Sequence, residues 1–344
     1  MRIAHTVSYA PHMSGLYETT REIVVAECAA GDDSRAVDPT ADILVEDRGM
    51  RYAPRTWMEE ADILVSHSGV GRSPEGLPPI VSMLHGTPHY CFSMEHYHGI
   101  DIWRKVAEQV AMGCVVAFVT WQQNIDGWAM LVGRESLYSV SPPLDLDFWS
   151  PAGDGLDCAG NKTNVVITDR WRPTKDSFGL LAGFSRYAES HPKAMVHLYG
   201  APEPCAGPLA SVLNPMRKRG ILGNVCGDIS AEDLRAVYRS ADVVMTSDGG
   251  TARTIREAMG CGCPVITGLG SECGQVAVNT DSAAAVSLAL HAVLDGGTLS
   301  SRRVKTRKQA EEMFDPTITV RGLRTVYERV LKGYRHEKCV PTRR

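Results

Sequence analysis

The residues best suited to hold an anion lie in VMTSDGGTARTIREAMGCGCPVI, residues 244–266. An apolar run ends at Ser247, and Asp248, Gly249, Gly250, Thr251 and Ala252 lead into a helix-period stretch carrying Glu257. Glycines let backbone N–H groups approach a ligand, and a helix start adds partial positive charge. Together these make a phosphate cradle; a plain strand–helix turn is the simpler alternative. A second cationic stretch, Arg170-Trp-Arg172-Pro-Thr-Lys175, follows the apolar run at 164–169. Arginine offers bidentate contacts and lysine a point charge, a good match to a diphosphate, though a solvated basic loop has the same composition. In the first half, Met13-Ser14-Gly15 precedes a helix with Glu18 and Glu22, and His85-Gly86 closes the run at 80–84. A histidine there is placed either to meet a ligand or to serve the fold.

The elements that must position these residues alternate. Residues 2–8, 42–47, 62–68, 80–86 and 115–120 read as strands, with helices over 16–30, 101–112 and 121–131. The turn-rich stretch 141–161 reads as a linker. Strands then recur at 164–169, 194–200, 224–227, 242–247 and 264–268, and helices at 177–189, 208–219, 231–240, 252–260, 282–294, 301–313 and 317–332. Strict alternation predicts an α/β protein with parallel sheets covered on both faces. Two such series predict two Rossmann-like domains, 1–140 and 162–316, separated by the linker and followed by a closing helix and basic tail at 317–344. In open α/β sheets ligands bind beyond the carboxyl ends of the strands, where the stretches above fall.

Composition narrows the class. The 344 residues, 44% hydrophobic and 22% charged, suit a globular protein of about two domains. No run approaches the roughly 18 apolar residues of a membrane span, and the N-terminus reads as strand and loop rather than as a signal peptide. Ten cysteines without a framework predict free thiols in a reducing cytoplasm. The net charge of −4 divides unevenly: residues 1–150 hold 10 Lys+Arg against 20 Asp+Glu, residues 151–344 hold 26 against 20. An anionic ligand therefore belongs with the second half.

The second half also resembles a known family. Arg170 and Lys175 hold the five-residue spacing of the Gly-Arg-Leu…Lys-Gly motif of the retaining glycosyltransferases of family 4, with Asp169 in place of the glycine. Gly200 matches the glycine that ends the next strand. The run GNVCGDISAEDLRAVYRSADVVMTS is similar to the family's G-x-V-x-F-x-G…L-x-x-x-Y-x-x-A-D segment, and REAMGCGCPVI to its Leu-Glu-Ala-Met-Ala-x-Gly-x-Pro-Val-Ile. The resemblance covers nearly the whole chain and is strongest over 164–270. It implies the GT-B fold, two Rossmann-like domains facing across a cleft, the acceptor on the first and a UDP- or GDP-sugar on the second, with no prosthetic group and no metal. Gly15, Arg170, Lys175, Gly249, Gly250, Thr251 and Ala252 would hold the diphosphate. Gly200, Val225 and Glu257 would border the nucleoside, Glu257 taking the ribose hydroxyls. His85, Asp248 and Glu257 would form the catalytic set, His85 orienting the sugar. The closing helix would brace the first domain.

One departure stands out. The family carries two glutamates eight residues apart, and counting back from Glu257 reaches Gly249. Asp248 is adjacent, although its carboxylate would come from a different backbone position. The altered position admits a rival reading, a catalytically silent nucleotide-sugar binding protein of the same fold. Asp145-Leu-Asp147 looks like a metal clamp of the other glycosyltransferase fold but lies in the linker. The ligand-rich segment His85–His98 matches no zinc spacing and contains Pro88, so it reads as a polar loop, His89 included, lining the acceptor side. Arg48, Arg51, Arg55 and Trp57 interleave basic and aromatic residues, and 301–344 holds 13 Lys+Arg against 5 Asp+Glu. Both could meet a nucleic-acid backbone or be solvated surface. A hydroxymethylated pyrimidine in DNA, as in some bacteriophage enzymes of this fold, and a polysaccharide or small-molecule precursor are the two acceptor classes this leaves.

Overall fold

The computed structural model describes residues 1–10, 15–67, 78–88, 91–92, 96, 102–112, 115–156, 162–169, 177–200, 206–250, 252–268 and 276–339. The chain forms two compact units, Met1–Pro143 with Phe314–Arg344, and Leu144–Met313. In the first unit, strands β1 (Arg2–Thr6), β2 (Asp33–Val37), β5 (Ile63–His67), β6 (Ile80–Leu84), β7 (Val115–Trp121) and β8 (Leu137–Val140) form one parallel sheet in the order β2-β1-β5-β6-β7-β8. A two-residue hairpin, β3 (Glu46–Asp47) and β4 (Met50–Arg51), lies outside it. Helices α1 (Gly15–Ala29), α2 (Trp57–Glu60), α3 (Ile102–Met112), α4 (Ile125–Val132) and the chain's last described helix, Pro316–Cys339, complete the unit. That last helix buries Leu323, Val326, Tyr327 and Val330 against Ile3, Ile63, Val65 and Val119 of the sheet.

The second unit repeats the plan. β9 (Thr163–Ile167), β10 (Ala194–Leu198), β11 (Leu222–Val225), β12 (Val243–Met245), β13 (Val265–Gly268) and β14 (Val276–Val278) form a parallel sheet in the order β11-β10-β9-β12-β13-β14. Its helices are α5 (Ser177–Ser190), α6 (Ala206–Lys218), α7 (Ala231–Ser240), α8 (Arg253–Gly260), α9 (Ala283–Leu294) and α10 (Leu299–Phe314), so the last helix is α11. α7 starts at Ser230, whose hydroxyl accepts the Asp233 N–H at 3.0 Å, an N-cap worth about 1 kcal/mol. The core interleaves Val165, Ile167, Val196, Leu198, Val243 and Met245 with Leu180, Phe184 and Leu290.

Three strands of the two six-stranded sheets escape sequence reading, and all are sheet edges. β2 replaces the strand expected at 42–47: its residues DSRAV carry little apolar signal, whereas Leu44 and Val45 are 69% and 41% exposed. β8 and β14 are short and pair on one side only. The stretch read as a linker is also corrected in its first part. Residues 144–156 pack into the second unit, with Leu144 and Trp149 buried and the Arg307 guanidinium donating to the carbonyls of Leu146, Trp149 and Gly260 at 2.7–3.2 Å. No single helix among the described residues is long and apolar enough to cross a membrane.

Candidate functional site

In the second unit the carboxyl ends of β9, β10, β12 and β13 converge on one polar edge. Asp169, just past β9, is fully buried. Its carboxylate accepts the Thr246 hydroxyl at 2.6 Å and both the backbone N–H and hydroxyl of Ser247 at 2.8 Å. The residue that departs from the family's glycine thus straps the end of β12 to the end of β9. From the other side, the Gly268 N–H donates to the Asp248 carbonyl at 2.9 Å. A Cβ at Gly268 would lie 2.5 Å from the Ser247 carbonyl oxygen, so only glycine permits this approach. Asp248, Gly249 and Gly250 form the turn so held, and Gly250 sits at φ +67°. Ala252 takes the N-cap position of α8 and has no side chain able to accept a hydrogen bond. An anion would be held there by backbone N–H groups and the helix dipole.

Glu257 stands on the buried face of α8, one turn after Arg253, whose guanidinium donates to it. Near it Tyr238 is fully buried with its hydroxyl 3.4 Å from the Thr168 hydroxyl; burial and then the Glu257 charge push that phenol well above its ordinary range. Gly200 ends β10 at φ +81° and donates to the Gly227 carbonyl at 3.0 Å. Val225 closes β11 and is 38% exposed. The tight exit is structural: Cys261 and Cys263 are buried free thiols, pushed up to about 12 by burial, and Gly262 adopts φ +74°. Arg170, Lys175 and Thr251 lie outside the described residues.

In the first unit, Gly15 opens α1 and is exposed. His85 follows β6, half-buried, its ring edge-on to Trp121 and its Nε2 2.9 Å from Nδ1 of His67. Burial, with His85 and His5 alongside, holds the His67 imidazole well below its ordinary range, so it is neutral at neutral pH. His89 lies outside the described residues. The basic–aromatic strip is corrected at Trp57, a core residue stacked under the Arg35 guanidinium at 4.1 Å; Arg48 is paired to Glu18 and Asp47, and Arg51 to Glu46 in a pair whose side chains both stay exposed. Arg55 remains exposed.

The basic segment after 301 is similarly engaged. Arg302 donates to the Ala292 and Gly296 carbonyls, Arg303 to the Ala241 carbonyl, Arg307 as above, and Arg324 to Asp32 and the Ala30 carbonyl. Several of its guanidiniums therefore close helix ends and clamp turns within their own units. Among the described residues one group, His191, His291 and Asp295, has donor atoms close enough to share a metal ion. Asp295 already bridges the two imidazoles, at 3.4 and 2.7 Å.

Sequence reasoning missed the roles of Asp169, Gly268, Tyr238, His5 and His67. For Asp169 a signal existed, its substitution into a glycine position; for the others the strand register had to be known.

No protein-family model and no curated protein sequence matches the chain. Solved structures do. Anabaena Alr3699/HepE in complex with UDP and glucose aligns with a TM-score of 0.70 at 13% identity, covering 95% of this chain and 99% of that one. Sucrose-phosphate synthase (tll1590) from Thermosynechococcus elongatus gives 0.70 at 13% identity, over 97% and 100%. An alpha-glucosyltransferase in complex with UDP-glucose and DNA containing an abasic site gives 0.65 at 10% identity, over 95% and 99%. Two six-stranded parallel sheets in successive Rossmann-like units, matched along nearly the full length of such structures, give this chain the GT-B fold.

Proposed function

We propose that the chain is a glycosyltransferase that moves a sugar from a UDP-sugar to an acceptor hydroxyl, with retention at the anomeric carbon and without a metal. The observation that carries the reading is the segment from β12 to α8. Asp169 and Gly268 hold a glycine turn at the start of a helix whose N-cap residue, Ala252, offers no side-chain acceptor, one turn before a buried glutamate. That is a diphosphate cradle followed by a ribose carboxylate. Similarity to HepE, solved with UDP-glucose, supports uridine over guanosine as the donor base.

In this reading the bond between the anomeric carbon and the diphosphate oxygen breaks as the acceptor oxygen attacks from the same face. The acceptor's proton passes to the leaving phosphate oxygen. The transition state carries oxocarbenium character and a growing diphosphate charge. Donors preorganised against that charge supply the largest catalytic term. The backbone of 249–252, Arg170 and Lys175 take that role; Glu257 and the edge formed by Gly200 and Val225 hold the nucleoside. His85 orients the sugar, and Asp248 substitutes for the carboxylate that Gly249 lacks. The acceptor is a carbohydrate or small-molecule hydroxyl: Trp57 is buried and Arg48 is held by Glu18 and Asp47, so Arg51 and Arg55 are the exposed cations left on the 48–57 strip for a DNA backbone.

The test is a time course of UDP release from UDP-glucose, with and without candidate acceptors and with EDTA throughout. Slow release without acceptor that accelerates with one supports transfer. One observation favours a second reading, a silent nucleotide-sugar binder: position 249 is glycine. UDP-glucose binding with no release across the acceptor panel would select that reading.

A further inference from the structure

Helices α5 and α9 of the second unit end in groups that the sugar transfer does not use. The two helices pack closely: a Cβ at Gly183 of α5 would lie 2.4 Å from the Val286 side chain of α9, and Leu180, Phe184 and Tyr187 share a core with Val286, Leu290 and Val293. That packing brings their carboxyl ends together. His191 follows α5, His291 lies in the last turn of α9, and Asp295 is the C-cap of α9.

Tyr187, buried one turn before His191, frames the group. Its ring stacks on His191 with centroids 4.1 Å apart and 4° between the planes, and meets His291 at 4.9 Å and 67°. Its hydroxyl donates to Asp295 Oδ1 at 3.4 Å. The two imidazoles are 5.1 Å apart.

Hydrogen-bond chemistry fixes the proton on His191. Nδ1 lies 3.2 Å from the Tyr187 carbonyl, which only accepts, so Nδ1 carries the hydrogen. Ser190 agrees: its hydroxyl donates to the same carbonyl at 3.2 Å, and its oxygen stands 3.0 Å from Nδ1 as a second acceptor. Neutral His191 therefore turns the lone pair of Nε2 toward Asp295 Oδ1, 3.4 Å away. Two acceptors facing each other at this distance call for a cation between them. A proton there makes a charge-assisted bond, which closes to about 2.7–2.9 Å. Tetrahedral zinc, with bonds of about 2.0–2.1 Å, holds its ligand atoms about 3.3 Å apart. The gap between His191 and Asp295 has the second spacing.

His291 completes the set. Its Nδ1 lies 2.7 Å from Asp295 Oδ2, and the donor atoms of the three residues lie within 4.8 Å of one another. Among the described residues the ion pairs of Asp295 are with these two imidazoles, while Arg302 turns its donors to the Ala292 and Gly296 carbonyls at the same helix end.

We propose that His191, His291 and Asp295 form a zinc-class metal site that staples the end of α5 to the end of α9. Nε2 of His191, Nδ1 of His291 and one Asp295 oxygen are the protein ligands. His291 moves its proton to Nε2 to free Nδ1, and water from the exposed side takes the fourth position. Two imidazoles favour zinc and its transition-metal neighbours over magnesium and calcium, which prefer oxygen ligands. The outer contacts that orient metal ligands are in place: Nδ1–H of His191 on a carbonyl and the Tyr187 hydroxyl on the carboxylate. The site is structural. The His191 carbonyl accepts the Ala194 N–H at 2.9 Å as the chain turns into β10, which puts the ion at the amino edge of the sheet, the opposite edge from the Asp248–Ala252 turn. It stands apart from the glycosyltransferase reading and has no part in the transfer.

The test is equilibrium dialysis of the full chain, stripped with chelator, against Zn2+ with excess Mg2+ at about pH 7.5, where unperturbed imidazoles are neutral. The wild-type protein should bind one zinc equivalent more than His291→Gln, or than Asp295→Asn on the exposed side chain if His291→Gln does not fold. Tyr187→Phe should keep that equivalent with about tenfold weaker affinity. With Co2+, the spectrum of the wild-type protein minus that of the variant should show tetrahedral d–d bands and no thiolate charge-transfer band, which sets the site apart from the ten cysteines. Zn2+ at about 100 times its dissociation constant should raise the folded-to-unfolded ratio of the wild-type protein about a hundredfold relative to the variant. UDP release should be the same in the wild-type protein and the variant. Equal zinc binding by both, no zinc binding by the wild-type protein, or a thiolate band in the difference spectrum would overturn the proposal. Turnover lost together with the zinc would overturn the structural role.

Discussion

Replacing Asp169 tests whether the turn that cradles the diphosphate is held by a buried carboxylate. Among the described residues three donors converge on it: the Thr246 hydroxyl, the Ser247 N–H and the Ser247 hydroxyl, all at 2.6–2.8 Å. A hydrogen bond to a charged acceptor contributes about 1.5–3 kcal/mol, and an orphaned buried donor costs about 1–3 kcal/mol. The three share one carboxylate and so do not add. Thr246 keeps part of its bonding, because its oxygen still accepts the Asp248 N–H at 3.1 Å. Asp169→Ala should therefore lose about 3–4 kcal/mol and Asp169→Asn, which retains one acceptor oxygen, about 2 kcal/mol. Urea unfolding reads the stability. Calorimetry with UDP reads the site: if the strap keeps the turn in its binding form, a tenfold drop in that population weakens UDP about tenfold. A loss below about 0.5 kcal/mol would refute the strap as a stabilising element, since ordinary surface changes stay within that range. A large stability loss with UDP affinity unchanged would refute the link between strap and ligand.

Two further perturbations follow from the same geometry. Gly268→Ala places a methyl 2.5 Å from the Ser247 carbonyl oxygen; overpacking of this kind costs about 1–3 kcal/mol, and the displaced turn should weaken UDP binding while the first unit's unfolding stays unchanged. His67 has a folded pKa depressed below its unfolded value, so the unfolded chain takes up a proton that the folded chain refuses. Its contribution to stability is complete above the unfolded pKa near 6.5 and is lost below it at about 1.4 kcal/mol per pH unit, a slope that urea titrations between pH 7.5 and 5.5 should show and His67→Gln should lack.

What the sequence disclosed depended on how far each signal reached along the chain. The β12–α8 segment was readable because glycine and proline punctuate it locally, and the alternation of apolar runs with helix-period segments pointed to two parallel sheets. The edge strands were hidden for a physical reason: β2 has one neighbour in its sheet, with an isolated bridge from Ala36 to Tyr52 on its other side, and uses Ser34 to reach Glu27 rather than an apolar side chain. Trp57 sits among arginines in sequence, which suggests an exposed strip, yet Arg35 covers it from β2. The contact of His67 with two other histidines is invisible without register, since His5, His67 and His85 come from separate strands and meet only when β1, β5 and β6 align. Likewise Arg302, Arg303, Arg307 and Arg324 read as a basic surface until their carbonyl partners are seen.

The central claim is that the second unit holds a uridine diphosphate-sugar through the β12–α8 turn and Glu257. Thermal unfolding with UDP and UDP-glucose tests it most directly, with Glu257→Gln alongside. At about 100 times its dissociation constant a ligand should stabilise the wild-type protein by about 2.7 kcal/mol, and Glu257→Gln, having lost a charged acceptor for the ribose hydroxyls, should need about tenfold more nucleotide for the same shift. A wild-type protein whose unfolding is unmoved by either nucleotide would contradict the account.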